Sequence, residues 1–363
     1  MRTDPPAARS LRRFHLPPRP PLDDTGIQPV QPLDEAAWIW HPDVRGAPPP
    51  FVLFRCAFTA TREELVVHLT ADQNYAFRVD GRLVARGPDR GDVAHWSYAS
   101  YRGRLTPGRH LLEVVAWNAG ERAPLGHMSW RPGFVLRAEG RYDRALTTGR
   151  GRWRAQHLRG WRMDGQDTDF GVSQDFHLDY LARDGAEGAW MAPRVVRPPL
   201  RGNPYGLQAE GWQLHPSQLP DQGAWRWRGL SVRAAGSGPW EEGRRFDRAE
   251  TAAVARAGWA RWLKSGRPLR LPPGFDGFVL LDLGSYACVY PELVVSGGAR
   301  SRIRLQWAES LCDQPGRKGD RDRVTGKFLS GPSDWFTTDG GRRRAFERPW
   351  FRAGRYLLLH IRT

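Results

Sequence analysis

From Phe51 the chain alternates with a period of two: Val52, Phe54, Cys56 and Phe58 fall on one face, Leu53, Arg55, Ala57 and Thr59 on the other. That is the period of an extended strand, so the segment is predicted as β. Leu65, Val67, Leu69 and Ala71 repeat the pattern, as do Tyr75, Phe77 and Val79. Asp80-Gly81 then supplies the positive φ angles of a type I′ turn and predicts a hairpin onto Leu83 and Val84. After the turn at Thr106-Pro107-Gly108, Leu111, Glu113, Val115 and Trp117 continue the series, followed by Phe134, Leu136 and Ala138. Short strands at this spacing bury their faces only against a second sheet, so residues 36–145 are predicted as an antiparallel β-sandwich.

Between 146 and 275 the alternation weakens into Trp, Gly, Pro and Arg, and this stretch reads as an irregular Trp-rich connector, partly packed on the first sandwich. It holds one short helix, predicted over Asp247 to Lys264, with Asp247 as N-cap, Trp259 and Trp262 at i, i+3, and Gly266 past the end. Alternation returns from Phe278, through Ile303, Leu305 and Trp307, to Tyr356, Leu358 and His360. Residues 276–363 are thus predicted as a second β-module, and the fold class as all-β, two antiparallel jelly-roll-like sandwiches joined by the connector. Residues 1–35, with the run Leu16-Pro17-Pro18-Arg19-Pro20-Pro21, are expected to be a disordered, Pro- and Arg-rich lead-in.

Composition changes this picture little. The formal charge of +16 would ordinarily suggest nucleic acid, but only Lys264, Lys318 and Lys327 are lysines and the arginines are scattered through every segment. An Arg-biased composition explains this without a phosphate-binding stripe, so no nucleic-acid partner is expected. No apolar run is long enough for a membrane span and no secretory signal is legible, which makes the cytoplasm the expected location and leaves no membrane partner. Cys56, Cys288 and Cys312 are far apart, without zinc spacing, and are expected to be buried free thiols.

ADQNYAFRVDGRLVARGPDR at Ala71 to Arg90, followed by Trp96 and Tyr98, resembles the N-terminal β-sandwich of the bacterial α-L-rhamnosidase family of glycoside hydrolases. LLDLGSYACVYPELVVSG at Leu280 to Gly297, WAESLCD at Trp307 to Asp313, RKGDRDRVTGK at Arg317 to Lys327 and FERPWFRAGRYLLLHI at Phe346 to Ile361 resemble its second, concanavalin-like β-domain. Together they cover about half the chain. The resemblance implies inverting hydrolysis of terminal α-L-rhamnosides by two carboxylates on an (α/α)₆ barrel. No set of periodic helices is present here to form such a barrel, so the family's acid and base have no positions onto which to be carried.

The expected function is therefore the non-catalytic, carbohydrate-recognising portion of a rhamnosidase-like hydrolase, working on rhamnose-containing glycans beside a barrel in cis. The alternative is a stand-alone carbohydrate-binding protein. Asp89, Arg90, Asp92, His95, Trp96 and Tyr98 form the candidate sugar site, because aromatic rings stack on pyranose faces while charged groups bond hydroxyls. Trp130 and Trp161 are further aromatic candidates. Glu309, Asp313, Arg321, Asp322 and Arg323, in a long polar segment, are the candidate docking surface toward the barrel, beside apolar surface expected to be exposed on the second module. No catalytic residue is assigned: Asp320 with Asp322, and Asp167 with Asp169, have i, i+2 spacing but sit in Arg- and Gly-rich loops. The acidic run Asp164 to Asp169 lacks the Gly and Glu of an EF-hand loop, so no metal or cofactor is expected.

Overall fold

The computed structural model describes residues 2–4, 10–19, 30–44, 50–124, 126–165, 174–181, 188–199, 211–221 and 225–363. The strands of the first module pair into two sheets. One runs Arg194–Arg197, Trp38–Trp40, Gly133–Ala138, Leu65–Asp72, Trp96–Gly103, Leu214–Pro216, and the other Arg154–His157, Phe51–Ala60, Gly108–Trp117, Asn74–Val79, Arg82–Gly87. Between them lie Trp40, Phe54, Leu69, Phe77, Tyr101 and Phe134, all nearly or fully buried. Phe51–Ala60 shows why: its inward positions Phe54, Cys56 and Phe58 are buried while Ala57 and Thr59 are exposed. The predicted hairpin is present, with Asp80 at φ 50° and Gly81 at φ 74° between the paired Val79 and Arg82.

The second module is built on a seven-stranded sheet ordered Trp161–Gly165, Gln174–Asp179, Ser333–Thr337, Arg302–Ala308, Arg352–Arg362, Asp276–Val289, Ser231–Ser237. Its centre is apolar on both sides. Val279, Leu281, Leu305 and Leu359 turn toward Phe346 of a two-stranded sheet and toward Trp259 and Leu263 of the helix Ala253–Ser265. Phe278, Leu280, Tyr356 and Leu358 turn the other way, onto Trp240, Phe246 and Leu329.

The connector segment, where no strands were legible, contributes short strands to both modules: Arg154–His157, Arg194–Arg197 and Leu214–Pro216 to the first, Trp161–Gly165, Gln174–Asp179 and Ser231–Ser237 to the second. Most are three to six residues long, too short for alternation to register; Trp153 and Trp212, beside two of them, are buried, and Trp161, at the start of a third, is packed against the core. The described part of the lead-in is ordered, contrary to expectation: Arg12–Phe14 pairs with Trp96–Gly103, and Leu11 is fully buried. The helix begins as expected, with an Asp247–Glu250 capping box, and ends at Gly266 with φ 62°. It is interrupted at Ala252, where the Thr251 hydroxyl donates to the Asp247 and Arg248 carbonyls. Cys56 and Cys312 are buried, but Cys288 is exposed, because it lies on the outward positions of the distal half of Asp276–Val289.

Candidate functional site

The loop and strand from Asp89 to Tyr98 do not present their six candidate side chains to one surface. Trp96 is 4% exposed, with its indole N–H donating to the Thr70 hydroxyl at 3.2 Å and its ring edge toward Trp212. Tyr98 is 1% exposed and donates to Gln31 Oε1 at 2.9 Å. Both occupy inward positions of an alternating strand, so both rings belong to the core. Asp92 and His95 point outward and pair with each other at 3.0 Å. Asp89 is held by Arg13 and the Ser217 hydroxyl. Trp130 stands edge-on to Trp212 at 4.7 Å, and Trp161 packs between Phe51 and Phe346.

Arg90 reaches a different place, the junction between the modules. Its guanidinium donates to the Gln73 carbonyl at 3.3 Å and to Asn74 Oδ1, and lies 5.1 Å from the centroid of the Trp350 ring. His127 stacks on Trp350 at 4.2 Å, and Arg86 lies 3.9 Å over Tyr290. Glu347 accepts from Arg78 at 2.6 Å and Arg86 at 2.5 Å, bridging the second module's Arg344–Glu347 strand to the first module's hairpin. Burial lowers Arg90 to about 10 and, with the Arg90 charge beside it, lowers His127 to about 3, so His127 is neutral at physiological pH. Arg90 keeps part of its side chain in solvent, where a guanidinium on an indole is worth about 0.5–1 kcal/mol, and together with the Glu347 ion pairs it makes this cluster a clasp between the modules.

The candidate docking residues are engaged largely within their own segment. Glu309 pairs with Lys318, which holds its carboxyl below the usual range, and accepts from the Tyr286 hydroxyl at 3.3 Å. Asp313 stands 3.6 Å from Lys327, and Asp322 pairs with Arg355 at 2.7 Å. The Arg321 carbonyl accepts from the Tyr356 hydroxyl, and Arg323 is exposed. Nearby, Tyr286, Tyr290, Val294 and Phe351 are exposed apolar side chains of the second module. Asp167 and Asp169 lie outside the described residues, and Asp164 pairs with Arg162 and His177. Among the described residues no group of three His, Cys, Asp or Glu is placed to hold a metal ion, and no helix is long and apolar enough to cross a membrane.

Asp72 is a buried carboxylate that sequence reading passed over, although it is the second residue of the ADQNYAF motif. It is fully buried at the end of Leu65–Asp72 and accepts from Asn118 Nδ2 at 2.9 Å, Trp212 Nε1 at 2.9 Å and the Trp130 and Arg131 amides at 2.8 and 3.2 Å. Burial outweighs these donors and raises its pKa from 3.8 to about 6. A carboxyl that keeps its proton longer when folded stabilises the fold at low pH, and loses that advantage as pH rises from about 4 to about 6. A shift of about two units corresponds to about 3 kcal/mol. Subtracting the pH–stability curve of Asp72→Asn from that of the parent chain is expected to leave a component falling across this window. Superimposable slopes between pH 4 and 7 would contradict it.

No protein-family profile matches the sequence, and no curated protein matches it either. Among solved structures, the chain is similar to the GH78 family rhamnosidase of Bacillus sp. GL1, with 16% identity and a TM-score of 0.60, over 90% of this chain and 53% of that one. It is similar more weakly to the α-L-rhamnosidase from Dictyoglumus thermophilum, with 12% identity and a TM-score of 0.48, over 90% of this chain and 34% of that one. The chain thus spans about half the length of the Bacillus rhamnosidase. At such identity the likeness is one of fold: this all-β chain has the fold of the half of the Bacillus rhamnosidase that it covers.

Proposed function

We propose that the chain is the non-catalytic, carbohydrate-recognising β-portion of a rhamnosidase-type glycoside hydrolase. Its target would be a rhamnose-containing glycan, and the hydrolytic carboxylates would belong to a separate helical barrel. The observation that carries this reading is the fold shared over 90% of the chain with a GH78 rhamnosidase. The pairing of candidate carboxylates agrees with it. Inverting hydrolysis needs an acid and a base about 6.5 to 9.5 Å apart across a sugar, one of them free to carry a proton at neutral pH. Asp322 is tied to Arg355, and Asp320 accepts from the Asp322 amide in the same turn.

The test is an aryl α-L-rhamnoside hydrolysis assay beside calorimetric titration with L-rhamnose on one purified sample. Binding without turnover is expected. Turnover that disappears in Asp320→Asn or Asp322→Asn would overturn the non-catalytic reading.

A further inference from the structure

One face of the second module's large sheet carries a near-parallel aromatic pair, on the second and third strands from its edge, that no sequence motif pointed to. Cross-strand pairing places Arg162, His177, Trp335, Arg304 and His360 in one row, each opposite the next on neighbouring strands. Arg302 is opposite Arg362 two positions further along Arg302–Ala308 and Arg352–Arg362, and Asp179 lies two positions beyond His177. These side chains therefore share one face of the sheet. Trp335 is half-buried at its centre, with His177 at 6.3 Å and 12° between ring planes. The two near-parallel rings stand side by side on adjacent strands, each partly open to solvent.

The charges around this surface are interleaved. Asp164 stands 3.3 Å from Arg162 and 2.8 Å from His177, Glu242 stands 2.8 Å from Arg304, and Asp276 stands 2.8 Å from His360 and 3.5 Å from Arg362. Arg122 of the first module also reaches Asp164, at 3.2 Å. Arg302 and Arg304 approach the Trp335 ring to 5.5 and 5.3 Å. In a chain with 55 Lys and Arg against 39 Asp and Glu, this face is close to balanced. An anionic ligand would be met by an excess of free cations, which this face does not offer. A neutral pyranose fits the chemistry better. Its C–H face packs on an aromatic plane, and its hydroxyls both donate and accept, so they need donors and acceptors side by side at the rim. An ordinary solvated sheet face supplies the alternating polar groups but has no need of a tryptophan at its centre.

We infer that the sheet face centred on Trp335 and His177, rimmed by Arg162, Asp164, Arg302 and Glu242, is a binding platform for a neutral pyranose. The inference rests on the carbohydrate-recognition reading above and gives it a location. The strands hold the platform rigid, so binding requires no rearrangement of the backbone.

The test is calorimetric titration of the full chain with methyl α-L-rhamnoside and with a rhamnose-terminated disaccharide, repeated on Trp335→Ala, Trp335→Tyr and Arg302→Ala. Trp335→Ala is expected to weaken binding about tenfold, with Trp335→Tyr restoring most of it. Arg302→Ala, at an exposed side chain, is expected to weaken binding several-fold and keeps the test independent of how Trp335 packs. Affinity is expected to be nearly unchanged between low and high salt, as for any uncharged ligand. Parent binding that survives both alanine variants unchanged would overturn this location and leave the recognition reading standing. Absence of binding by the parent chain to either probe would overturn both. A steep fall of affinity with salt would overturn the neutral-ligand assignment.

Discussion

Asp334→Ala is expected to cost about 3–5 kcal/mol of folding stability, the loss seen when one partner of a buried ion pair is removed and the other is left without its counter-charge. Asp334 is fully buried and accepts from Arg348 Nε at 2.9 Å, from Arg352 Nη2 at 2.8 Å and from the Phe176 amide at 3.0 Å. Arg348 and Arg352 are 2% and 5% exposed, so neither can turn to water without opening the module. The strength of their desolvation shows in Arg348, which burial lowers to about 10 despite the carboxylate beside it. Arg348 also donates to the Trp350 and Phe351 carbonyls, placing Trp350 against His127 and Arg90 of the first module. The substitution therefore acts on the core of the second module and on the clasp between modules. Against a total of about 5–15 kcal/mol for a native fold, such a loss is a large fraction. Urea unfolding measures it directly. Asp334→Asn, which keeps an acceptor for one guanidinium, is expected to lose less, and a loss below about 1 kcal/mol in the alanine variant would mean that the two arginines find other partners.

Strands that bury one face against a partner sheet were legible from alternation alone, as at Phe51–Ala60 and Gly108–Trp117, because the burial that selects the residues also sets the period. The all-β class followed from them. Much of the connector was illegible for a physical reason: Arg154–His157 and Leu214–Pro216 are held by partners far away in sequence, Phe51–Ala60 for one and Trp96–Gly103 for the other. The helix was legible at its ends, where capping residues act locally, and not at Ala252, whose extended backbone (ψ 150°) breaks it beside the contact of Thr251 with the Thr325 hydroxyl. Candidate chemistry was harder to read. Trp96 and Tyr98 have the i, i+2 spacing of one strand face, and that face proved to be the inward one. Asp72 and Asp334 each end up beneath donors contributed by several distant segments, a property that no local pattern encodes. Trp335 sits in a five-residue strand, and its aromatic neighbour His177 arrives through a parallel pairing that sequence order does not suggest.

Trp212→Ala is expected to be the most damaging single substitution in the first module, costing about 3–5 kcal/mol as a buried large-to-small change. Trp212 is 1% exposed and stacks on Trp38 at 3.6 Å with 7° between planes, while Trp130 meets it edge-on. Its indole N–H donates to Asp72 at 2.9 Å, so the substitution opens a cavity and also removes a donor from a buried carboxyl. The backbone before it is fitted to the same cluster: Gly211 has φ 95°, and a Cβ there would lie 2.6 Å from the Trp130 ring. Trp212 thus anchors a segment whose strand, Leu214–Pro216, is only three residues long and pairs in parallel with Trp96–Tyr98. Two amide bonds report on that docking: Trp96 to the Gln213 carbonyl at 2.8 Å, and Ser217 to the Tyr98 carbonyl at 2.9 Å. Hydrogen exchange at Trp96 and Ser217 is expected to accelerate toward unprotected rates in Trp212→Ala, ahead of global unfolding. Trp212→Phe keeps a stacking ring but loses the donor and part of the ring volume, so its smaller loss is expected to combine the bond to Asp72 with a small cavity. If that bond is the cause, combining Trp212→Phe with Asp72→Asn gives less than the sum of the two single losses. Additive losses, with the Trp96 amide still protected in Trp212→Ala, would show that neighbouring strands hold the segment without its tryptophan.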